Sequence, residues 1–168
     1  MESEVSAGFR LSPLQANLWA AQADALPLAA QCAVQIECAI TESDLANALE
    51  RAAARYEILR TRYVRPTGMK LPLQVMSETA PALRIVDSES GDPQQVIEQV
   101  LCADRQAVGN AYGALLAATM VRFGNNRPVL TLTASALSMD SASLLKLAEE
   151  ICGSDVIPGN DVLQYADY

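Results

Sequence analysis

The order of elements along this chain predicts an α/β (α+β) sandwich in which a mixed sheet is flanked by helices. Three observations lead there. Amphipathic helical stretches alternate with short strand-like runs in the order α-β-α-β-(β)-α-β-β-α, a pattern that layers helices on a sheet. Gly124-Asn125-Asn126-Arg127 joins two apolar runs and marks an antiparallel hairpin. The 168 residues, 51% hydrophobic and 19% charged, suffice for one self-supporting core without disulfide or metal staples.

A first helix is expected from Ser12 to about Ala23, with Ser12 as its cap and Pro13 at the first helical position. Leu14, Leu18 and the lone Trp19 fall at helical spacing, and Trp19 reads as a core anchor; Leu26-Pro27 then breaks the pattern. Cys32, Val34, Ile36 and Cys38 alternate with Gln35 and Glu37, as in a half-buried strand. Thr41-Glu42-Ser43-Asp44 supplies a cap and an acidic first turn to a second helix. Its apolar stripe runs Leu45, Leu49, Ala52, Tyr56, Leu59. Arg60 to Val64 reads as a strand, Pro66-Thr67-Gly68 as a turn and Leu71 to Met76 as a returning strand. Leu83 to Val86 is short and strand-like. Asp92-Pro93 opens a third helix with Val96, Val100 and Leu101 inward, broken at Gly109 to Gly113. Ala114 to Phe123 and Val129 to Ser135 are the hairpin strands. Asp140-Ser141 caps a last helix with Leu144, Leu147, Ala148 and Ile151 inward, stopping at Gly153. Residues 154–168 read as a loop-like tail. Met69, Met76, Met120 and Met139 read as gap-filling core or loop residues.

The net charge of −8 argues against nucleic acid and anionic membrane surfaces as partners, since both need a positive face. The chain holds no His, so the usual neutral-pH general base and the commonest zinc ligand are both missing. No apolar run is long enough for a membrane span. Met1-Glu2-Ser3-Glu4 lacks the basic and apolar regions of a signal peptide. Cys32, Cys38, Cys102 and Cys152 form no Cys-x-x-Cys pair and read as buried free thiols of a cytoplasmic protein. There is no phosphate loop, dinucleotide fingerprint, nucleophile elbow or metal-ligand cluster, and no cofactor is expected.

Three segments, in order, resemble motifs of nonribosomal peptide synthetase condensation domains. Leu11-Ser12-Pro13-Leu14-Gln15-Ala16-Asn17-Leu18-Trp19 is similar to the opening Ser-x-x-Gln-x-x-Leu-Trp pattern. Arg55-Tyr56-Glu57-Ile58-Leu59-Arg60-Thr61 resembles the second motif, Arg-His-Glu-x-Leu-Arg-Thr. Gln164-Tyr165-Ala166-Asp167-Tyr168 resembles the later Tyr-x-Asp-Tyr segment. The resemblance implies a chloramphenicol-acetyltransferase-like fold, of which residues 1–168 would be the N-terminal lobe, with Met1 reading as a natural chain start.

The third family motif, His-His-x-x-x-Asp-Gly, would fall on Ser135-Ala136-Leu137-Ser138-Met139-Asp140-Ser141. The catalytic His pair is then replaced by Ser135 and Ala136 and the Gly by Ser141, while Asp140 alone survives. Tyr56 replaces the His of the second motif. The resemblance implies a structural ion pair of Asp140 with Arg55 or Arg60. Ser135 and Ser138 have no adjacent base and are not expected to act as nucleophiles. The expectation is a non-catalytic, truncated condensation-like domain that docks to an adenylation or other synthetase domain. Two alternatives stay open: a platform recruiting a tailoring enzyme that acts on carrier-bound aminoacyl groups, and one half of a split acyltransferase. A carrier protein and self-association are further candidates for contact. In a lone lobe, Ala136, Leu137 and Met139 are expected to face water or a partner as an apolar interaction surface.

Overall fold

The computed structural model describes residues 8–22, 28–89, 91–108, 115–124 and 126–153. In chain order the elements are β1 (Phe9–Arg10), α1 (Pro13–Gln22), β2 (Ala29–Gln35), α2 (Glu42–Arg55), a 3-10 turn (Glu57–Arg60), β3 (Thr61–Val64), β4 (Leu73–Met76), β5 (Leu83–Asp87), α3 (Pro93–Val108), β6 (Leu116–Phe123), β7 (Asn126–Ser135) and α4 (Ser141–Cys152). The expected breaks at Leu26-Pro27 and Gly109–Gly113, the tail from Ser154 and the motif at Gln164–Tyr168 lie outside the described residues.

The strands form a four-stranded sheet, β2-β7-β6-β5, and a small three-stranded sheet, β1-β4-β3. In the larger sheet β6 and β7 make the expected antiparallel hairpin, and β5 pairs with β6 in parallel across the α3 crossover. The sheet is therefore mixed, with helices on both faces. Alternation along each strand sorts the side chains between those faces. Ala118, Met120, Leu130, Leu132 and Ala134 meet Leu45 and Leu49 of α2 and Leu144, Leu147 and Ile151 of α4 in the main core. On the other face Val121 and Phe123 pack with Val100 of α3 in a smaller cluster. That face also buries Thr119, Thr131 and Thr133. Each fully buried Leu in the main core contributes about 1.5–3 kcal/mol.

α2 begins at a capping box: the Thr41 side chain accepts from the Asp44 backbone N–H, and the Asp44 carboxylate accepts from Thr41. These bonds hold the Asp44 carboxyl below its usual range. The helix ends at Arg55, short of the expected Leu59, because Tyr56 is extended. Leu59 stays buried by way of the 3-10 turn. β7 starts at Asn126, ahead of the expected Val129, because the hairpin turn is tighter than the four residues suggest. All four residues expected inward on α4 are buried. Among the described residues no helix is long and apolar enough to cross a membrane.

Several side chains lie elsewhere than expected. α1 turns Leu14 outward, 67% exposed, and its buried residue is Gln15. Trp19 is half-buried and packs against neither apolar cluster. Cys38 and Cys102 are exposed, since Cys38 lies beyond the end of β2 and Cys102 on the outer side of α3; Cys32 and Cys152 are half-buried. Met76 is also exposed, at the end of β4.

Candidate functional site

The segment Ser135–Ser141 leaves the end of β7 and turns into α4. Ser135 is buried, and its carbonyl accepts from the backbone N–H of Ser138 at 2.9 Å and of Met139 at 3.1 Å. Its hydroxyl accepts from the Leu137 N–H at 3.3 Å. The Ala136 N–H donates to the Leu28 carbonyl at 3.0 Å. The backbone bonds hold the turn whatever side chain stands at 136, and the Ser135 hydroxyl adds one side-chain bond of its own.

A buried polar hub holds the same turn from below. The capping box at the start of α1, Ser12 with Gln15, places Gln15 inward: Ser12 N–H donates to Gln15 Oε1 at 2.9 Å, and Gln15 N–H to Ser12 Oγ at 3.2 Å. Gln15 Nε2 donates to the Leu137 carbonyl at 2.9 Å and reaches Tyr63 Oη at 3.2 Å and Gln74 Oε1 at 3.4 Å. Tyr63 donates to the Leu137 carbonyl at 2.9 Å, and its oxygen lies 3.1 Å from Ser138 Oγ. Gln74 Nε2 donates to the Arg10 carbonyl at 3.0 Å and to Gln15 Oε1 at 3.3 Å. Gln15, Tyr63 and Gln74 are 2%, 5% and 5% exposed, so their polar atoms depend on one another. The register of the small sheet, with Tyr63 opposite Gln74, brings them together.

Leu137 is accordingly buried, at 6% exposure, and Met139 packs against the main core. The expectation that Ala136, Leu137 and Met139 form an open apolar surface is corrected. The hub draws the Leu137 backbone inward and the side chain follows.

The expected ion pair of Asp140 is not formed either. Asp140 is exposed and caps α4, accepting from the Ser143 N–H at 2.8 Å. That bond holds its carboxyl below the usual range. Ser141 follows as the exposed first residue of α4. Arg55 instead approaches Glu150 of α4 at 3.7 Å and lies over the Tyr56 ring, 5.4 Å from its centroid. Arg60 donates from Nε to the Ala53 carbonyl at 2.8 Å and from Nη1 to the Ser77 carbonyl at 3.4 Å, tying α2 to the end of β4. Both guanidiniums are thus committed to partners other than Asp140.

The second and third motif regions do meet. Tyr56, Ser138, Met139, Lys146 and Glu150 line one recess of about 330 Å³. There Tyr56 donates to Glu150 Oε2 at 2.9 Å. Burial, then the bond to Glu150, pushes the phenol up, away from any role as a base near neutral pH. Glu150 is engaged by Tyr56 and Arg55, and among the described residues no side chain lining the recess is arranged as a nucleophile with an adjacent base. Among the described residues no cluster of His, Cys, Asp or Glu is placed to hold a metal ion. Sequence reasoning missed Tyr63, Gln74 and Glu150, and used Gln15 only as a motif letter. For Gln15 a signal was present, since Ser-x-x-Gln is itself a capping-box pattern.

No protein-family profile and no curated protein matches this chain. Solved structures do. The starter condensation domain of the rhizomide synthetase RzmA superposes with a TM-score of 0.74 at 20% identity, covering 87% of this chain and 36% of that one. The first condensation domain of the CDA synthetase gives a TM-score of 0.71 at 18% identity, covering 88% of this chain and 39% of that one. The first condensation domain of the calcium-dependent antibiotic synthetase, in complex with a substrate analogue, gives 0.71 at 20% identity, covering 87% and 36%. At such identities the likeness is one of fold. This chain has the condensation-domain, chloramphenicol-acetyltransferase-like fold and spans little more than a third of the length of those structures.

Proposed function

We propose that this chain is a non-catalytic, condensation-like half-domain of a nonribosomal peptide synthetase that serves as a docking element for an adjacent synthetase domain. One observation carries the reading. At the place where the resemblance puts the His pair, Ser135 and Ala136 sit in a turn closed by backbone bonds and by the Gln15–Tyr63–Gln74 hub, and the chain holds no His to supply the imidazole base. The turn is kept as structure while its chemistry is absent.

A surface other than Ala136–Met139 supports the docking role. The β3–β4 hairpin exposes Val64, Met69 and Leu71 at 37%, 45% and 40%. Arg65 and Lys70 lie beside them, exposed, and no acidic residue occurs between Glu57 and Glu78. In a chain of net charge −8 this is a local cationic, apolar patch, suited to an acidic face of an adenylation domain. A long polyanion would bring the acidic remainder of the chain close and be repelled.

The test pairs two assays. The chain is mixed with donor- and acceptor-loaded carrier proteins, and product is followed by mass spectrometry; none is expected above the uncatalysed rate. Binding to the adenylation domain of the same synthetase is measured by calorimetry, with loss expected in the Arg65→Glu/Lys70→Glu double variant. Product formation refutes the non-catalytic reading. Unchanged binding in the folded double variant refutes the hairpin as the docking surface, and absence of binding by the wild type refutes the docking role.

A further inference from the structure

A second recess lies beside the start of β6, lined by other residues than the Ser135–Ser141 turn. β5 starts at Leu83, opposite Ala118 of β6, so β6 runs on past the end of its neighbour. The notch is a cavity of about 450 Å³ lined by Leu59, Ala80, Pro81 and Ala107 among its apolar walls, with Arg62, Arg84, Asp104 and Thr119 as polar groups. That volume lies in the range of sites for small molecules.

The polar groups are organised around one guanidinium. The Asp104 side chain is 4% exposed and that of Arg84 is 51% exposed. Arg84 donates from Nη2 to Asp104 Oδ1 at 2.7 Å and from Nε to Thr119 Oγ1 at 3.2 Å. The Thr119 hydroxyl in turn donates to Asp104 Oδ2 at 3.2 Å. The carboxylate thus has a donor on each oxygen, and three secondary-structure elements converge on a closed triad. Two nitrogens of Arg84 are fixed, while Nη1 has no protein partner among the described residues. A buried carboxylate is costly to maintain; here burial pushes the Asp104 carboxyl up and Arg84 opposes it. What the triad provides is an arginine held rigid with one free edge at the mouth of an apolar cavity. Asp104 and Arg84 cancel in charge, and Arg62, exposed on β3, adds a second guanidinium.

We infer that this recess binds a small organic anion, a carboxylate with a short apolar body, gripped by Arg84 and Arg62 with its body against Leu59, Ala80 and Pro81. A planar guanidinium with an open edge matches a carboxylate, and pre-fixing its rotamer lowers the entropy cost of binding. An ammonium ligand is disfavoured, because Asp104, the one carboxylate among the described lining residues, already has a donor on each oxygen.

The test is calorimetry and amide chemical-shift titration of the full chain with butanoate, hexanoate and octanoate, with hexanol and hexylammonium as matched probes. Saturable one-site binding is expected for at least one carboxylate and for neither control. Arg84→Gln is expected to weaken it by about tenfold or more, the loss of a charge-assisted bond. Because that variant leaves Asp104 without its cation, Arg62→Gln, at an exposed position, is measured beside it, with both melting curves recorded. A severalfold loss is expected there with the fold unchanged. The inference is overturned if no carboxylate saturates on the folded wild type, if hexanol binds equally well, or if folded Arg62→Gln binds as the wild type does.

Discussion

Gln15 offers the sharpest test of how the turn at Leu137 is held. Gln15→Ala removes a donor to the Leu137 carbonyl, which keeps its bond from Tyr63. Gln74 is worse placed: its Oε1 loses the donor from Gln15 and one of its N–H groups loses Gln15 Oε1. Gln74 is 5% exposed, so bulk water does not replace those bonds. Each buried orphan costs about 1–3 kcal/mol, and a water entering the vacated volume recovers part of it, leaving a net loss of about 2–4 kcal/mol. For a domain of this size that lowers Tm by roughly 4–16 °C. Gln15→Met separates hydrogen bonding from packing. It keeps the volume, leaves the same orphans and excludes the rescuing water, so it is expected to be no better than Ala. Gln15→Met with Gln74→Leu removes both partners and is expected to fall short of the additive sum by about 1 kcal/mol. Urea and thermal melts measure all three, with the exposed Leu14→Ala as a control expected within about 0.5 kcal/mol of wild type. If Gln15→Ala behaves like Leu14→Ala, or if Met rescues it, the hub is not what holds the turn.

Leu137→Asp buries a carboxylate and is expected to unfold the domain, a loss above about 4 kcal/mol, while Leu137→Ala costs about 2–5 kcal/mol; soluble, native-like Leu137→Asp by circular dichroism refutes the burial argument. Asp140→Ala removes the α4 cap and is expected to lower Tm, whereas Asp140→Asn keeps it. Because the folded carboxyl is held below its unfolded value, the contribution of its ionised form is present above the unfolded value and lost as pH falls through the folded one. The gap between wild type and Asp140→Ala is therefore expected to narrow in acid melts, and a constant gap argues against an ionised cap. Alkylation at mildly alkaline pH should label Cys38 and Cys102 ahead of Cys152, whose thiol burial pushes up to about 11; simultaneous labelling by peptide mapping contradicts this.

What was legible in the sequence followed from local chemistry. The caps at Ser12, Thr41 and Asp140 each mark a helix start through a side chain that satisfies an orphan N–H a few residues on. The inward stripe of α4 and the β6–β7 hairpin were equally plain, because period and turn chemistry agree there. α1 misled for a physical reason. Periodicity assumes that the buried face is apolar, and this helix buries a glutamine to reach a carbonyl far along the chain, leaving Leu14 in water. Nothing local announces Tyr63 or Gln74, since their role arises from sheet register and the placement of the Leu137 turn. The same limit explains the ion pair: Asp140 can cap α4 or reach across to α2, and the adjacent Ser143 N–H engages it, leaving Arg55 to Glu150.

Ala136→His joins these strands. Ala136 is half-buried, and its backbone N–H is anchored to the Leu28 carbonyl, so an imidazole can extend from a backbone that does not depend on the alanine methyl. Support of the turn resides in Gln15, Tyr63 and Gln74, remote in sequence from 136, so fold and chemistry are separable at this site. The variant is therefore expected to fold, with Tm within a few degrees of wild type, and its new imidazole to titrate in the ordinary His range by NMR. On the proposed reading it is still expected to form no product with loaded carrier proteins, because general-base catalysis needs the reacting amine held within hydrogen-bond reach, and the chain spans little more than a third of the condensation-domain structures it matches. A folded Ala136→His that makes peptide bonds above the uncatalysed rate shows that the base was the only part missing. The chain then reads as a disabled catalyst rather than a docking element.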